Sequence, residues 1–175
     1  MNNILKGAKF EKVSFEQFYK DLADCNETCD KNMVKESIYD CIKLPKRATK
    51  NSAGYDFFAP YKITLKPGET IKVPTGIRCK LPEEFVLQLF PRSGLGFKYR
   101  MQLNNTVGII DADYYDAKNE GHIMAKITND TNENKIISIE AGEGFMQGLI
   151  QMYFITEDDE STEVRVGGFG STTNK

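Results

Sequence analysis

The amino-acid sequence predicts an all-β fold, a jelly-roll-like β-barrel or sandwich, with a short N-terminal helix ahead of it. Short apolar or alternating runs recur from about Ser37: Ile38–Leu44, Tyr61–Leu65, Thr70–Val73, Gly76–Leu81, Phe85–Phe90, Ile123–Thr128, Lys135–Ile139 and Phe145–Ile155. Runs of that length and composition read as strands. Between them stand Leu44-Pro45, Lys66-Pro67-Gly68, Val73-Pro74, Leu81-Pro82 and Ala141-Gly142-Glu143-Gly144, which turn a chain rather than continue it. No helical period separates the runs, so the pattern fits a sandwich or barrel and not an alternating α/β fold.

The first part of the chain follows another grammar. Ser14 with Gln17 forms a capping-box pattern, and Val13 with Phe18 can staple it. Phe15, Phe18 and Leu22 then share one face of a helix that ends near Cys25-Asn26. A polar connector, Glu27 to Lys35, leads into the strands. The expected division is a helical leader over 1–36, a β core over 37–156 and a C-terminal arm over 157–175. The arm begins in an acidic linker, Thr156–Glu163, and ends in Val166-Gly167-Gly168-Phe169-Gly170-Ser171-Thr172.

Composition excludes several classes. No apolar run approaches the ~18 residues of a membrane span. The opening residues Met1 to Gly7 lack the apolar stretch of a signal peptide, so a cytoplasmic setting is expected. A net charge of −2, with both signs mixed along the chain, leaves no footprint for nucleic acid or an anionic membrane. Cys25 and Cys29 are spaced C-x3-C, but a single His and no second close pair argue against zinc. Reduced thiols are expected.

Several segments can carry chemistry. Asn105-Thr106-Val107-Gly108-Ile109-Ile110-Asp111-Ala112-Asp113-Tyr114 runs an apolar strand into a corner bearing two carboxylates and a phenol. A carboxylate held still beside an aromatic ring suits water activation next to a bound sugar, although an acidic hairpin turn has the same composition. Pro91-Arg92-Ser93-Gly94-Leu95-Gly96 can present a guanidinium, a hydroxyl and open N–H groups to an anion, or be a plain Gly-rich turn. The Gly-Phe-Gly-Ser-Thr tail can close over a planar phosphorylated ligand, or be a solvated terminus. Gly142 to Gly148 mimics a dinucleotide fingerprint but has the wrong spacing and runs into a strand. His122, the one histidine, is read as structural.

As an ordered set the segments resemble the five motifs of the trimeric dUTP pyrophosphatase (dUTPase) family. They are Ala53-Gly54-Tyr55-Asp56, Pro91-Arg92-Ser93-Gly94, Asn105 through Tyr114, Gly142-Glu143 with Gln147, and Gly167 through Thr172. The resemblance implies a homotrimer with shared active sites that hydrolyses dUTP to dUMP and pyrophosphate, keeping uracil out of DNA and supplying dUMP for dTMP synthesis. By position, Asp111 resembles the general base that activates the attacking water, and Tyr114 the ring under the deoxyribose. Asn105, with the hairpin backbone at Gly108 and Ile110, resembles the uracil reader. Arg92, Ser93, Gly94 and Gln147 resemble the α/β-phosphate cradle. Phe169 with Gly170 would stack over uracil, with Arg165, Ser171 and Thr172 at the γ-phosphate. Asp56 would stand near the water shell of a Mg²⁺ held by the substrate phosphates, with no direct protein ligand.

The sequence departs from the family at three places. Gly144 stands where the family has Arg or Lys, Arg165 comes one step after the usual arginine, and Tyr115 to Glu120 replaces a shorter Arg-Gly turn. A dCTP deaminase shares the fold, but the position of its deaminating Glu holds Lys126. A lysine cannot shuttle the protons that carboxylate handles. A regulatory binding protein on the same scaffold, with nucleotide occupancy controlling a partner, is the reading from another class.

Overall fold

The structure is a computed structural model that describes residues 4–25, 36–163 and 165. It opens with strand β1 (Lys9–Lys12) and helix α1 (Phe15–Cys25). Ser14 starts α1 as the capping pattern predicts, its Oγ accepting the Gln17 N–H at 3.1 Å. Gln17 does not return the bond; its amide donates to Asp21 at 2.7 Å instead.

Helix α2 (Glu36–Cys41) stands where the run Ile38–Leu44 predicts a strand. Ile38, Tyr39 and Ile42 are the residues that meet the core, a spacing of one and four that a helix satisfies as well as a short strand. Apolar runs of this length do not separate the two by period. Six strands follow: β2 (Lys46–Arg47), β3 (Tyr55–Phe58), β4 (Ile63–Leu65), β5 (Thr70–Pro74), β6 (Ile77–Lys80) and β7 (Phe85–Pro91). The Arg92-Ser93-Gly94 turn then continues into a helix, α3 (Ser93–Tyr99), which the sequence did not announce. Two glycines in seven residues weaken the helical signal there. Arg100, at φ 52°, closes α3 by donating its N–H to the Gly96 carbonyl.

A tight turn joins strands β8 (Met101–Leu103) and β9 (Gly108–Ile110) at the expected corner, but the two pair with β10 and β7 rather than with each other, and a 3-10 turn over Ala112–Asp116 follows. Strands β10 (Met124–Asn129), β11 (Ile137–Ile139) and β12 (Gly144–Met152) are the last elements among the described residues. All pairings are antiparallel: β2-β3-β12-β7-β9, β5-β10-β8, β11-β4 and β1-β6. The result is the jelly-roll-like β fold. Residues alternate across it, so β4, β8, β9 and β11 each bury their outer residues and expose the middle one. Phe57, Leu87, Phe145, Ile123 and Ile127 fill the centre.

The N-terminal segment is bound into this core. β1 pairs with β6 in the register Lys9↔Lys80 to Lys12↔Ile77. Phe18 and Leu22 of α1 are buried. Gly76, at φ +72°, sits under them, and a Cβ there would lie 2.3 Å from Ile42 Cδ1 and 3.3 Å from Phe18 Cδ2.

Two carboxylates fasten the same contact. Glu120 accepts the Ser14 N–H at 2.7 Å and its hydroxyl at 2.6 Å, and Asp21 meets His122 Nδ1 at 2.5 Å. Burial opposes ionisation of Asp21, but hydrogen bonds from His122 and Gln17 outweigh it and hold the carboxyl below its ordinary 3.8. Glu120 is likewise disfavoured by burial and carried below 4.5 by the Ser14 hydroxyl and amide. Both groups have depressed folded-state values. Their stabilisation is therefore complete above the ordinary carboxylate range and lost as pH falls through the depressed values. Unfolding midpoints should hold steady down to about pH 5 and fall below about pH 4. The double variant Asp21→Asn/Glu120→Gln should show a shallower acid limb. An unchanged limb would remove these carboxylates from the account.

Candidate active site

The phosphate-turn residues come together through strand register. β12 lies between β3 and β7, with Gln147 opposite Asp56 on one side and Phe90 on the other. Asp56, Gln147 and the end of β7 therefore share one edge. Arg92 Nε is 3.3 Å from Asp56 Oδ1, and Arg92 Nη1 donates to the Gly144 carbonyl at 3.2 Å. Gln147 Nε2 reaches the Pro91 carbonyl at 3.4 Å.

Two glycines make room for this packing. A Cβ at Gly54 would lie 2.7 Å from Gln147 Oε1, and one at Gly144 would lie 2.7 Å from Arg92 Nη1. The Arg92 guanidinium lies across position 144, where the family has a basic side chain. Ser93 and Gly94 open α3 and are exposed, with open space around Gly94. The first N–H groups of a helix have no partner within it. A guanidinium, an amide and such N–H groups form a set that takes phosphate oxygens.

The turn between β8 and β9 supplies a second place. It is closed by Thr106 N–H to Leu103 O at 2.8 Å and Val107 N–H to Asn105 O at 2.6 Å, with Thr106 at φ 65°. Asn105, Gly108 and Ile110 line one recess of about 40 Å³ with Leu89, Leu103 and Ala125. Gly108 is small for a reason, since a Cβ would press on Leu89 at 3.1 Å.

Asp111 marks a third. It precedes the 3-10 turn in an extended conformation (φ −75°, ψ 158°), and its carbonyl accepts the Tyr114 N–H at 3.2 Å. Its carboxylate is 46 % exposed and lines a recess of about 760 Å³ with Val86, Asp113, Tyr153 and Arg165. Arg165 grips both carboxylates: Nη2 contacts Asp111 Oδ2, and Nε donates to Asp113 Oδ1 at 2.8 Å. The same guanidinium lies 5.8 Å from the Tyr114 ring centroid. Tyr114 is buried, donates its hydroxyl to the His122 carbonyl at 2.8 Å and accepts from Asn119 at 2.7 Å. Burial pushes the phenol up, so it stays a protonated donor.

Phe169, Gly170, Ser171 and Thr172 lie outside the described residues. Among the described residues, no group of three or more His, Cys, Asp or Glu side chains could hold a metal ion, and Cys25, Cys41 and Cys79 are free thiols. Burial raises the Cys79 thiol to about 12, which leaves it inert. No helix among the described residues is long and apolar enough to cross a membrane.

The dUTPase family model matches residues 40–173, three quarters of the chain and every motif just placed. The chain belongs to the dUTPase family. It is similar to the deoxyuridine 5'-triphosphate nucleotidohydrolase of Lactococcus lactis, 40 % identical over 134 residues that cover 75 % of this chain and 88 % of the relative. The corresponding enzyme of Hahella chejuensis is 41 % identical over 142 residues, covering 77 % and 89 %. Among solved structures, the dUTPase from Streptococcus mutans superposes with a TM-score of 0.62 at 31 % identity, covering 85 % of this chain and 98 % of that one.

In this dUTPase-family chain the phosphate turn stands apart from the other two places, which adjoin through Ile109. β7 pairs with β9 so that Leu89 faces Gly108 and Leu87 faces Ile110. Asp111 therefore stands beside Val86, at the start of β7, whereas Arg92 follows its end. Six residue steps along the strand carry Val86 to Arg92, roughly 20 Å at about 3.3 Å each. The grip of Arg165 on Asp111 and Asp113 was not legible in the sequence. Nothing local links positions 54 residues apart.

Proposed function

We infer that this chain hydrolyses dUTP to dUMP and pyrophosphate. The observation that carries the reading is the Asp111 carboxylate, held half-exposed beside Tyr114 and a guanidinium, on a scaffold of the dUTPase family. Asp111 takes a proton from a water that attacks the α-phosphorus. The bond from that phosphorus to the α–β bridging oxygen breaks, and the electron pair leaves with pyrophosphate. Tyr114 lies under the deoxyribose and leaves no space for a 2′-hydroxyl. Asn105 and the hairpin at Gly108 and Ile110 read uracil. Arg92, Ser93, Gly94 and Gln147 hold the α- and β-phosphates.

Release of Arg165 from the carboxylates frees Asp111 and gives the γ-phosphate a cation, with Phe169, Gly170, Ser171 and Thr172 closing over the nucleotide. Asp56 offers a hard oxygen donor of the kind that orients water around Mg²⁺. When bound to the triphosphate, Mg²⁺ supplies charge neutralisation and fixes a conformer open to in-line attack.

The roughly 20 Å between Arg92 and Asp111 supports a homotrimer in which one chain supplies the phosphate cradle and another the hairpin and base. We assign residues 1–36 as a leader, 37–156 as the core and 157–175 as an arm that crosses between chains. A cytoplasmic setting fits free thiols at Cys25, Cys41 and Cys79.

The test is pyrophosphate release from dUTP, UTP, dTTP and dCTP with Mg²⁺. Turnover of dUTP is expected, with the other three slower by about a hundredfold or more, since a site built to the substrate rejects a misfit group strongly. Deamination of dCTP would overturn the assignment, and comparable rates on UTP would remove Tyr114 from its place under the sugar.

A further inference from the structure

The family match begins at residue 40, so α1 lies outside it. Helix α1 nevertheless reaches the residue that holds the tip of Tyr114. Asp21 shares the inner face of α1 with Phe18 and Leu22, and its side chain is 17 % exposed. Its carboxylate takes His122 Nδ1 at 2.5 Å while Gln17 braces it from the preceding turn at 2.7 Å. On the other side of the fully buried imidazole, Nε2 accepts the Gly76 N–H at 2.8 Å. That bond leaves the ring proton on Nδ1, so His122 is fixed at both nitrogens: a core amide on one side, the leader helix on the other. The carbonyl of this same residue receives the Tyr114 hydroxyl at 2.8 Å.

A second fastening runs alongside. Glu120, at φ 57° and followed by Gly121 at φ +67°, turns its carboxylate onto the amide and hydroxyl of Ser14, the cap of α1. The chain after Tyr114 is thus tied to one helix at two points, Ser14–Glu120 and Asp21–His122. The longer Tyr115–Glu120 stretch that replaces a short turn is what makes the first tie possible. Left-handed backbone at a glutamate is strained, and it persists only where surroundings hold it. Those surroundings are the Ala117 carbonyl, which accepts the Glu120 N–H at 2.7 Å, and the start of α1.

We propose that the leader helix positions Tyr114 for sugar discrimination, acting through Asp21 and His122. The proposal rests on the reading of Tyr114 as the ring under the deoxyribose. A phenol anchored at its hydroxyl keeps its ring in one plane. Without the anchor the ring can tilt and admit a 2′-hydroxyl. Asp21 and His122 are positioning residues, since neither touches the nucleotide.

The experiment compares kcat/KM for dUTP and UTP in the full chain, with thermal unfolding measured beside it. Asp21→Ala should lower the dUTP-to-UTP ratio by about tenfold, mainly through KM, with kcat for dUTP within about twofold of the parent. Asp21→Asn should restore most of the ratio, because its Oδ1 still accepts the His122 Nδ1–H. Tyr114→Phe, which removes only the hydroxyl, should shift the ratio like Asp21→Ala. The double variant should be no worse than the worse single, as expected for one pathway. Gln17→Ala removes only the brace on Asp21 and should give a smaller shift of the same sign, a readout that survives if Asp21→Ala does not fold.

A lowered unfolding midpoint with an unchanged ratio in the Asp21 and Gln17 variants would reduce α1 to packing and overturn the proposal. So would additive effects of Asp21→Ala and Tyr114→Phe. If Tyr114→Ala itself leaves the ratio unchanged, the reading of the sugar site fails first and the proposal with it.

Discussion

Asp111→Asn is expected to lower kcat for dUTP by about a thousandfold while leaving the fold intact, since a positioned general base contributes roughly 10²–10⁴. The substitution keeps the shape of the side chain and removes its basicity. Its environment argues that the loss will be chemical. The carboxylate is 46 % exposed at the rim of a recess, so no buried charge is left unpaired when it becomes an amide. The grip of Arg165 weakens, which removes a partly exposed ion pair of about 1 kcal/mol or less. The unfolding midpoint should therefore move little, and KM should stay within a few-fold because no uracil or phosphate contact is assigned to Asp111. Pyrophosphate release and thermal unfolding on the same preparation separate the two effects. Retention of kcat within tenfold of the parent would remove Asp111 as the base. A collapse of the fold would show that the Arg165–Asp111–Asp113 cluster is structural.

Much of this molecule could be read from its sequence because the relevant physics is local. The Ser14–Gln17 pattern announced the start of α1, and turn residues between short apolar runs announced the strands. The two added helices were missed for opposite reasons. α2 is too short for its period to show, and α3 carries Gly94 and Gly96 where a helix usually carries better formers. The candidate site divides the same way. Each motif keeps its chemistry within a few residues, so Asp111, Arg92 and Asn105 could be singled out as candidates in advance. Which of them meet depends on the pairings of β3, β12, β7 and β9, and these are long-range. The role of Gly144 emerges only once β12 brings it beneath Arg92. His122 was read as structural, yet its partner Asp21 lies 101 positions away, and no local pattern connects them.

That register leads to a prediction about mixed assemblies. Arg92→Ala alone and Asp111→Asn alone should each be nearly inactive, the first for want of a phosphate cradle and the second for want of a base. If one chain built a whole site, mixing them would recover nothing. Arg92 and Asp111 sit at opposite ends of β7, however, and in the proposed homotrimer one chain would present its cradle to one site and its base to another. In randomly assembled trimers from equal amounts of the two variants, a site needs a cradle from an Asp111→Asn chain and a base from an Arg92→Ala chain. Independent draws give about one site in four intact, so dUTPase activity should return to roughly a quarter of the parent value. Co-refolding or co-expression supplies the mixed trimers, and the double variant mixed with itself is the blank. A mixture as inactive as its components would mean that site residues come from one chain, through a chain path other than the β7 geometry. Recovery near a quarter would assign cradle and base to different subunits, whichever chain supplies the arm, because both variants keep the same residues 157–175.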